Sequence, residues 1–377
     1  MKYIIAIDSF KGCLTSHEAA EAVRQGILTS RLGKEEKVLD DEIVCIPVSD
    51  GGEGMLDAFI SAMKLNGFQS AITEKESIVH DPMMRRTNAH YAITNDGTAI
   101  IETAQACGLT LLAPEERNPV RATTYGVGEL IAAALKHDCR HLIVGLGGSA
   151  TSDCGIGMLR ALIDIFAPNK QFDDVRALFP DLRVTIVCDV NNPLCGANGA
   201  AHVFAPQKGA TPDMVEMLEL RAERFAAMSA KHHGRDCSCL EGAGAAGGLG
   251  YAFLQYFEAA MASGADEILK LVKFNHLLEN ASLVITGEGS ADRQTLMGKL
   301  PFIVLQHSQR HHVPVLLLAG KVSDNRQLLD AGFSQVLCIN PEDMPHEEAI
   351  RPDVAKENLK RTINSWIENS WKWDKST

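Results

Sequence analysis

A doubly wound parallel α/β domain, interrupted by a second, mixed α/β domain, is the fold class predicted from three features of the 377-residue chain. Short apolar runs ending in Gly, Asp or Ser alternate with segments of helical period, the pattern of parallel βα units. Between Thr73 and Glu102 the pattern changes to successive strands that meet at Asn95-Asp96-Gly97, a hairpin signal. The length itself exceeds what one hydrophobic core usually supports. The expected division is a discontinuous first domain over residues 1–64 and 281–377, with a mixed α/β domain inserted over residues 65–280.

Each predicted strand is a short apolar run: Tyr3–Ile7, Ile43–Val48, His141–Leu146, Val184–Cys188, Ser282–Thr286, Val313–Ala319 and Gln335–Ile339. Two helix starts carry capping boxes. Thr15 with Glu18 precedes Ala19, Val23 and Ile27, and Asp50 with Glu53 precedes Met55, Phe59 and Met63. The segments Thr124–Lys136 and Met214–Met228 place apolar residues at helical spacing.

Composition narrows the function classes. Hydrophobic residues make up 46% and charged residues 22%, which excludes disordered and fibrous chains. A formal net charge of −12, with no Lys/Arg cluster, argues against nucleic acid or an anionic membrane as partner. An anionic substrate would then need local positive potential from helix N-termini, backbone N–H groups and a few cations. Ten cysteines without a CxxC pair read as reduced thiols of a cytoplasmic protein. Met1-Lys2 runs straight into a strand and no apolar run is long enough to span a bilayer, so neither a signal peptide nor a membrane partner is expected.

Several strand ends are suited to phosphate. The run His141–Leu146 leads into Gly147, Gly148, Ser149, Thr151, Ser152 and Asp153 before a helical segment, offering backbone N–H and hydroxyl donors. A second run ends at Thr286 in Gly287-Glu288-Gly289-Ser290-Ala291-Asp292-Arg293, where Glu288 and Asp292 are candidate Mg²⁺ ligands and Asp292 is equally a helix N-cap. Asp189, at the end of the run Val184–Cys188, suits a base or metal ligand, or an Asx-turn before Pro193. Asp8, Ser9 and Lys11 follow the first strand in the same way. Gly242–Gly250 reads better as a close-packing device than as a ligand loop. P-loop, protein-kinase, zincin and nucleophile-elbow motifs are all absent.

The strings IAIDSFKG, PVSDGGEG, ERNPVRATTYGVGEL, GLGGSATSDCGIGML, CDVNNPLCG, FAPQKGAT, GAGAAGGLG and VITGEGSADRQTLMGK occur in this order. Together they resemble the bacterial glycerate kinase family of the first class. The resemblance implies a flavodoxin-like domain interrupted by a second α/β domain, with the active site in the cleft between them. It also implies Mg²⁺-dependent phosphotransfer from ATP to D-glycerate, giving 2-phosphoglycerate, and it brings Gln207 and Lys208 toward that cleft. The sequence departs from the family pattern at Ser290 and Ala291, where the family often has Arg and Ile. Arg293 or Lys321 then stands as the replacement cation. Cys154 replaces a usual glycine, and the stretch from Phe166 to Arg183 is shorter than usual.

On this reading Lys11 and Lys208 pin the glycerate carboxylate or the transferring group, the 145–153 loop holds phosphate oxygens, and Asp189 accepts the hydroxyl proton, with Asp8 as the alternative base. Phosphorylation at the 3-hydroxyl, a flavin- or dinucleotide-binding redox protein and a non-catalytic sensor of a phosphorylated metabolite are the rival readings. A homodimer is compatible with the sequence.

Overall fold

The computed structural model describes residues 1–10, 12–31, 42–48, 54–65, 72–171 and 174–373. Its strands are β1 (Lys2–Ile7), β2 (Glu42–Pro47), β3 (Ile72–His80), β4 (Arg86–Thr94), β5 (Thr98–Glu102), β6 (His141–Gly145), β7 (Arg183–Val187), β8 (Ala260–Ala262), β9 (Leu283–Ala291), β10 (Val315–Val322) and β11 (Gln335–Cys338). They form a five-stranded sheet in the order β11-β10-β9-β1-β2 and a six-stranded sheet in the order β3-β4-β5-β6-β7-β8. The chain divides into two compact units, Met1–Ser49 with Ser61–Gln69 and Ala265–Thr377, and Asp50–Ile60 with Ser70–Gly264. Residues 265–377, among them the buried Ile268 and Leu269, group with the first of these units.

In the first unit every strand pair is parallel. Numbered within that unit, the strands run 2-1-3-4-5, the flavodoxin-like order, with its switch point between β1 and β9. Ile5, Ile7, Ile285, Leu316 and Leu318 form the core with Val23 and Ile27 of the helix Ser16–Arg31 and with Leu359 and Ile363 of the helix Pro352–Trp373. The Thr15 capping box is present. Thr15 N–H donates to the Glu18 carboxylate at 3.0 Å and Glu18 N–H donates to Thr15 Oγ1 at 3.2 Å. The second predicted box, Asp50 with Glu53, lies outside the described residues, although its helix, Met55–Leu65, is formed.

The two outer helices of this unit cross closely at Gly26, where an added Cβ would lie 2.1 Å from Ile363 Cγ2 and 2.7 Å from the Lys360 carbonyl oxygen. Backbone on one side of that contact leaves little room to relax. Gly26→Val is therefore expected to destabilise the protein by about 2 kcal/mol, read as a lower urea midpoint at unchanged m-value. An unchanged midpoint would show that the crossing opens at no cost.

One predicted phosphate turn is corrected here. β9 does not stop at Thr286 but continues to Ala291, in register with β10 through Gly287, Glu288, Ser290 and Ala291. A Cβ on Gly287 would lie 2.5 Å from the Leu318 carbonyl oxygen, so this glycine serves close strand pairing rather than a ligand loop.

In the second unit β3, β4 and β5 are antiparallel neighbours, with β4 and β5 joined at the predicted Asn95–Gly97 hairpin, and β5 through β8 are parallel. Its core includes Ile101, Val144, Ile186, Leu130, Met158, Leu162 and Phe253. Glu102, Gly145 and Val187 end β5, β6 and β7 level with one another in the ladder. The segments that leave these three strands therefore start along one edge, where parallel sheets place ligands. No described helix is long and apolar enough to cross a membrane.

Candidate active site

The loop that follows β6 is held at its base and left unpaired at its tip. The Gly145 carbonyl accepts from Thr103 N–H at 3.0 Å and from Thr103 Oγ1 at 2.9 Å, and Leu146 N–H donates to Val187 O at 3.1 Å. Leu109 N–H donates to Gly148 O at 2.9 Å and Ala150 N–H to Cys107 O at 2.7 Å, which fastens one side of the loop to residues 107–109. Gly148 takes φ +75°, a conformation that favours glycine. Among the described residues, the backbone N–H groups of Gly147, Gly148, Thr151 and Ser152 make no hydrogen bond. The Ser152 hydroxyl is buried without a partner, and the Thr151 hydroxyl, also without an N or O partner, lies beside the Cys107 thiol. Unspent donors of this density are what an anion-binding loop requires.

Lys208 supports the loop from behind. It closes the short turn Pro206–Lys208, is only 3% exposed, and its ammonium donates to Ser149 Oγ at 2.9 Å and to the Thr151 carbonyl at 2.7 Å. Burial pulls its pKa down to about 8, a shift that the Asp153 charge partly opposes. In this geometry the ammonium bonds the loop itself, so Lys208 is placed to position Ser149 and Thr151.

Asp153 is a feature that the sequence showed only as a member of the loop. Its carboxylate accepts from Thr124 N–H at 2.8 Å, Thr124 Oγ1 at 2.9 Å, Thr123 Oγ1 at 3.3 Å, and the Gly155 and Gly157 N–H groups at 3.1 Å each. It thereby joins the starts of the helices Tyr125–Lys136 and Ile156–Phe166. Behind the loop, Gly247 and Gly248 take φ +65° and +88°. A Cβ on Gly247 would lie 2.0 Å from the Thr151 carbonyl oxygen, and Gly247 O accepts Cys154 N–H at 3.1 Å. Gly247 and Gly248 therefore serve close packing against the loop.

Asp189 lies two residues beyond β7, exposed, in a segment pinned on both sides. Cys188 N–H donates to Ala262 O at 3.3 Å, Gly244 N–H to Asn192 O at 2.9 Å, and Asn192 Nδ2 to Asn198 O at 2.8 Å. Asp189 and the 147–152 loop thus leave adjacent parallel strands of one sheet.

The remaining candidates belong to the first unit. Asp8 and Ser9 follow β1, with Asp8 N–H donating to Gly287 O at 2.9 Å and Ser9 N–H to Asp8 Oδ1 at 2.7 Å; Lys11 lies outside the described residues. Glu288 is 5% exposed, with Oε1 accepting from Thr295 Oγ1 at 2.6 Å and Oε2 from Lys299 Nζ at 2.8 Å. Asp292 caps the turn Arg293–Leu296, accepting Gln294 N–H at 2.7 Å while its own N–H donates to Thr295 Oγ1 at 3.1 Å. Both oxygens of Glu288 are thus engaged, one by a cation, and Asp292 does the work of an N-cap, so this pair does not fit a resident metal. Among the described residues no group of three or more His, Cys, Asp or Glu side chains is disposed to hold one. Arg293 and Lys321 are exposed.

A flavodoxin-like parallel sheet in one unit, and a lysine-braced glycine loop at a parallel strand end in the other, define an α/β enzyme of the small-molecule class. Comparison with known proteins makes the assignment particular. Residues 3–370 match the model of the glycerate kinase family. The chain is 40% identical to glycerate kinase of Bacillus subtilis (strain 168), covering 96% of each chain. It is 36% identical to glycerate 2-kinase of Escherichia coli (strain K12), over 90% of this chain and 91% of that one. A crystal structure from Salmonella typhimurium LT2, assigned as a glycerate kinase 2, superposes with a TM-score of 0.77 at 33% identity over the whole of both chains. The chain belongs to the glycerate kinase family of enzymes.

Proposed function

We propose that the enzyme transfers the terminal phosphoryl group of ATP to the 2-hydroxyl of D-glycerate, releasing ADP and 2-phosphoglycerate. The observation that carries this reading is the 147–152 loop, whose unpaired N–H groups and buried Lys208 brace suit the negative oxygens of a phosphoryl group. The 2-position is favoured by the Escherichia coli relative that bears the name glycerate 2-kinase. Mg²⁺ enters as part of the MgATP substrate, since Glu288 and Asp292 are already committed within the protein. Asp189, exposed at a pinned strand end one strand from the loop, accepts the hydroxyl proton. All ten cysteines are free thiols, which favours a reducing cytoplasm where ATP is plentiful.

The test is ADP formation from D-glycerate, MgATP and purified protein, with enolase added so that only 2-phosphoglycerate gives a direct signal. Signal without phosphoglycerate mutase is the expected result. Signal only with the mutase would move the phosphate to the 3-hydroxyl, and no ADP formation would overturn the reading.

A further inference from the structure

Arg117, in the second unit, is a partly buried cation without an ion pair among the described residues. Its Nε is buried without a partner, and among the described residues its guanidinium makes neither a hydrogen bond nor an ion pair. A donor group held in this way loses water without regaining a partner, and native structures rarely retain one unless a ligand, ion or water completes it.

The backbone around Arg117 is fixed from both sides. Glu116 accepts Ala113 N–H at 3.1 Å and pairs with Arg85 at 2.7 Å, and Arg85 in turn pairs with Asp81 at 2.6 Å. On the other side, Asn118 Oδ1 accepts Val120 N–H at 3.1 Å, and Asp153 holds Thr123 and Thr124. Asp81, Glu116 and Asp153 are therefore engaged in anchoring the segment, and none of the three pairs with Arg117. Arg117 also lies directly against the turn that carries Lys208. Gly209 has φ +92°, and a Cβ there would lie 2.6 Å from Arg117 O and 3.2 Å from Arg117 Cβ. Arg117 thus stands one residue away from the lysine that braces Ser149 and Thr151, with the unpartnered Ser152 hydroxyl in the same loop.

We infer that Arg117 binds the carboxylate of the hydroxy-acid substrate. The inference rests on the proposed reaction. A planar guanidinium matches a carboxylate with two parallel hydrogen bonds, a geometry that lysine does not reproduce. The loop donors remain for the phosphates of the nucleotide, so one unit supplies separate contacts for the two anions.

Arg117→Lys and Arg117→Gln test this by steady-state kinetics with D-glycerate and ATP varied separately, together with calorimetric binding of D-glycerate and of MgADP. The expected result is a rise of about 10- to 100-fold in the KM and Kd for D-glycerate in both variants. The ATP and MgADP values should stay within about threefold, and the thermal transition should be unchanged. A rise confined to ATP and MgADP would reassign Arg117 to a phosphate and overturn the inference, as would unchanged values for both ligands. Should the wild-type protein fail to phosphorylate D-glycerate, the functional reading falls, and Arg117 is then judged on binding of D-glycerate and D-lactate. Equal affinity of wild type and Arg117→Gln for these carboxylates, or no binding by either protein, would overturn the inference independently.

Discussion

Asp189→Asn is expected to lower turnover by about 10²- to 10⁴-fold, the range over which a positioned base contributes to proton transfer, with little change in the KM for ATP. The substitution keeps the shape and hydrogen-bonding capacity of the side chain and removes its basicity. The site is exposed, and its segment is pinned by Cys188 N–H, Asn192 and Gly244, so the thermal transition should move by less than about 2 °C. Asp8→Asn is the matched control. Asp8 sits at the other predicted strand end, where its carboxylate already accepts the N–H of Ser9. A large loss at Asp189 with a modest one at Asp8 assigns the base. The reverse outcome would transfer the role to Asp8, and near-normal turnover in the Asp189 variant would remove it from the chemistry.

Strands and polar contacts were not equally readable in the sequence. Buried parallel strands are continuous apolar runs, and β1, β6, β7, β9 and β10 begin within two residues of their expected starts. Glycine was the ambiguous signal. At Gly147-Gly148 it does open a loop with spare donors, whereas at Gly287 and Gly289 the same residue type continues a strand, and at Gly247-Gly248 it lets a kinked helix approach the loop. A glycine needed for close backbone approach and one needed for a ligand turn look alike until the neighbouring strand is in place. The polar hubs were hidden for a related reason. Asp153 finds its donors at Thr123 and Thr124, about 30 residues earlier, and Lys208 finds Ser149 and Thr151 almost 60 residues earlier. Arg117 carried no sequence signal beyond membership of ERNPVRATTYGVGEL. Its interest arises from what surrounds it. Asp292, readable as a metal ligand or as an N-cap, forms the cap in the structure.

Lys208→Met is expected to reduce kcat/KM for ATP by about 100-fold or more while changing stability by no more than about 2 kcal/mol at neutral pH, because two opposed effects meet at one residue. Methionine fills nearly the same volume and relieves the cost of keeping an ammonium out of water, which favours the folded state. The substitution also strips donors from Ser149 Oγ and the Thr151 carbonyl, so the loop loses the brace that fixes its N–H groups. Stability and activity should therefore separate, which a purely structural lysine would not produce. The pH dependence gives an independent signature. In the unfolded chain Lys208 keeps its proton to about its ordinary value of 10.5, whereas in the folded protein it releases it near 8. Between these values the unfolded state binds more protons, so this group makes stability rise with pH, and the rise is complete only above the unfolded value. The wild-type protein should gain up to about 3 kcal/mol, relative to Lys208→Met, between pH 7.5 and 10.5, measured by urea unfolding at several pH values. Parallel stability profiles for the two proteins would mean that Lys208 is not held charged in a dry setting. The loop would then owe its order to the Gly247 and Asp153 contacts alone.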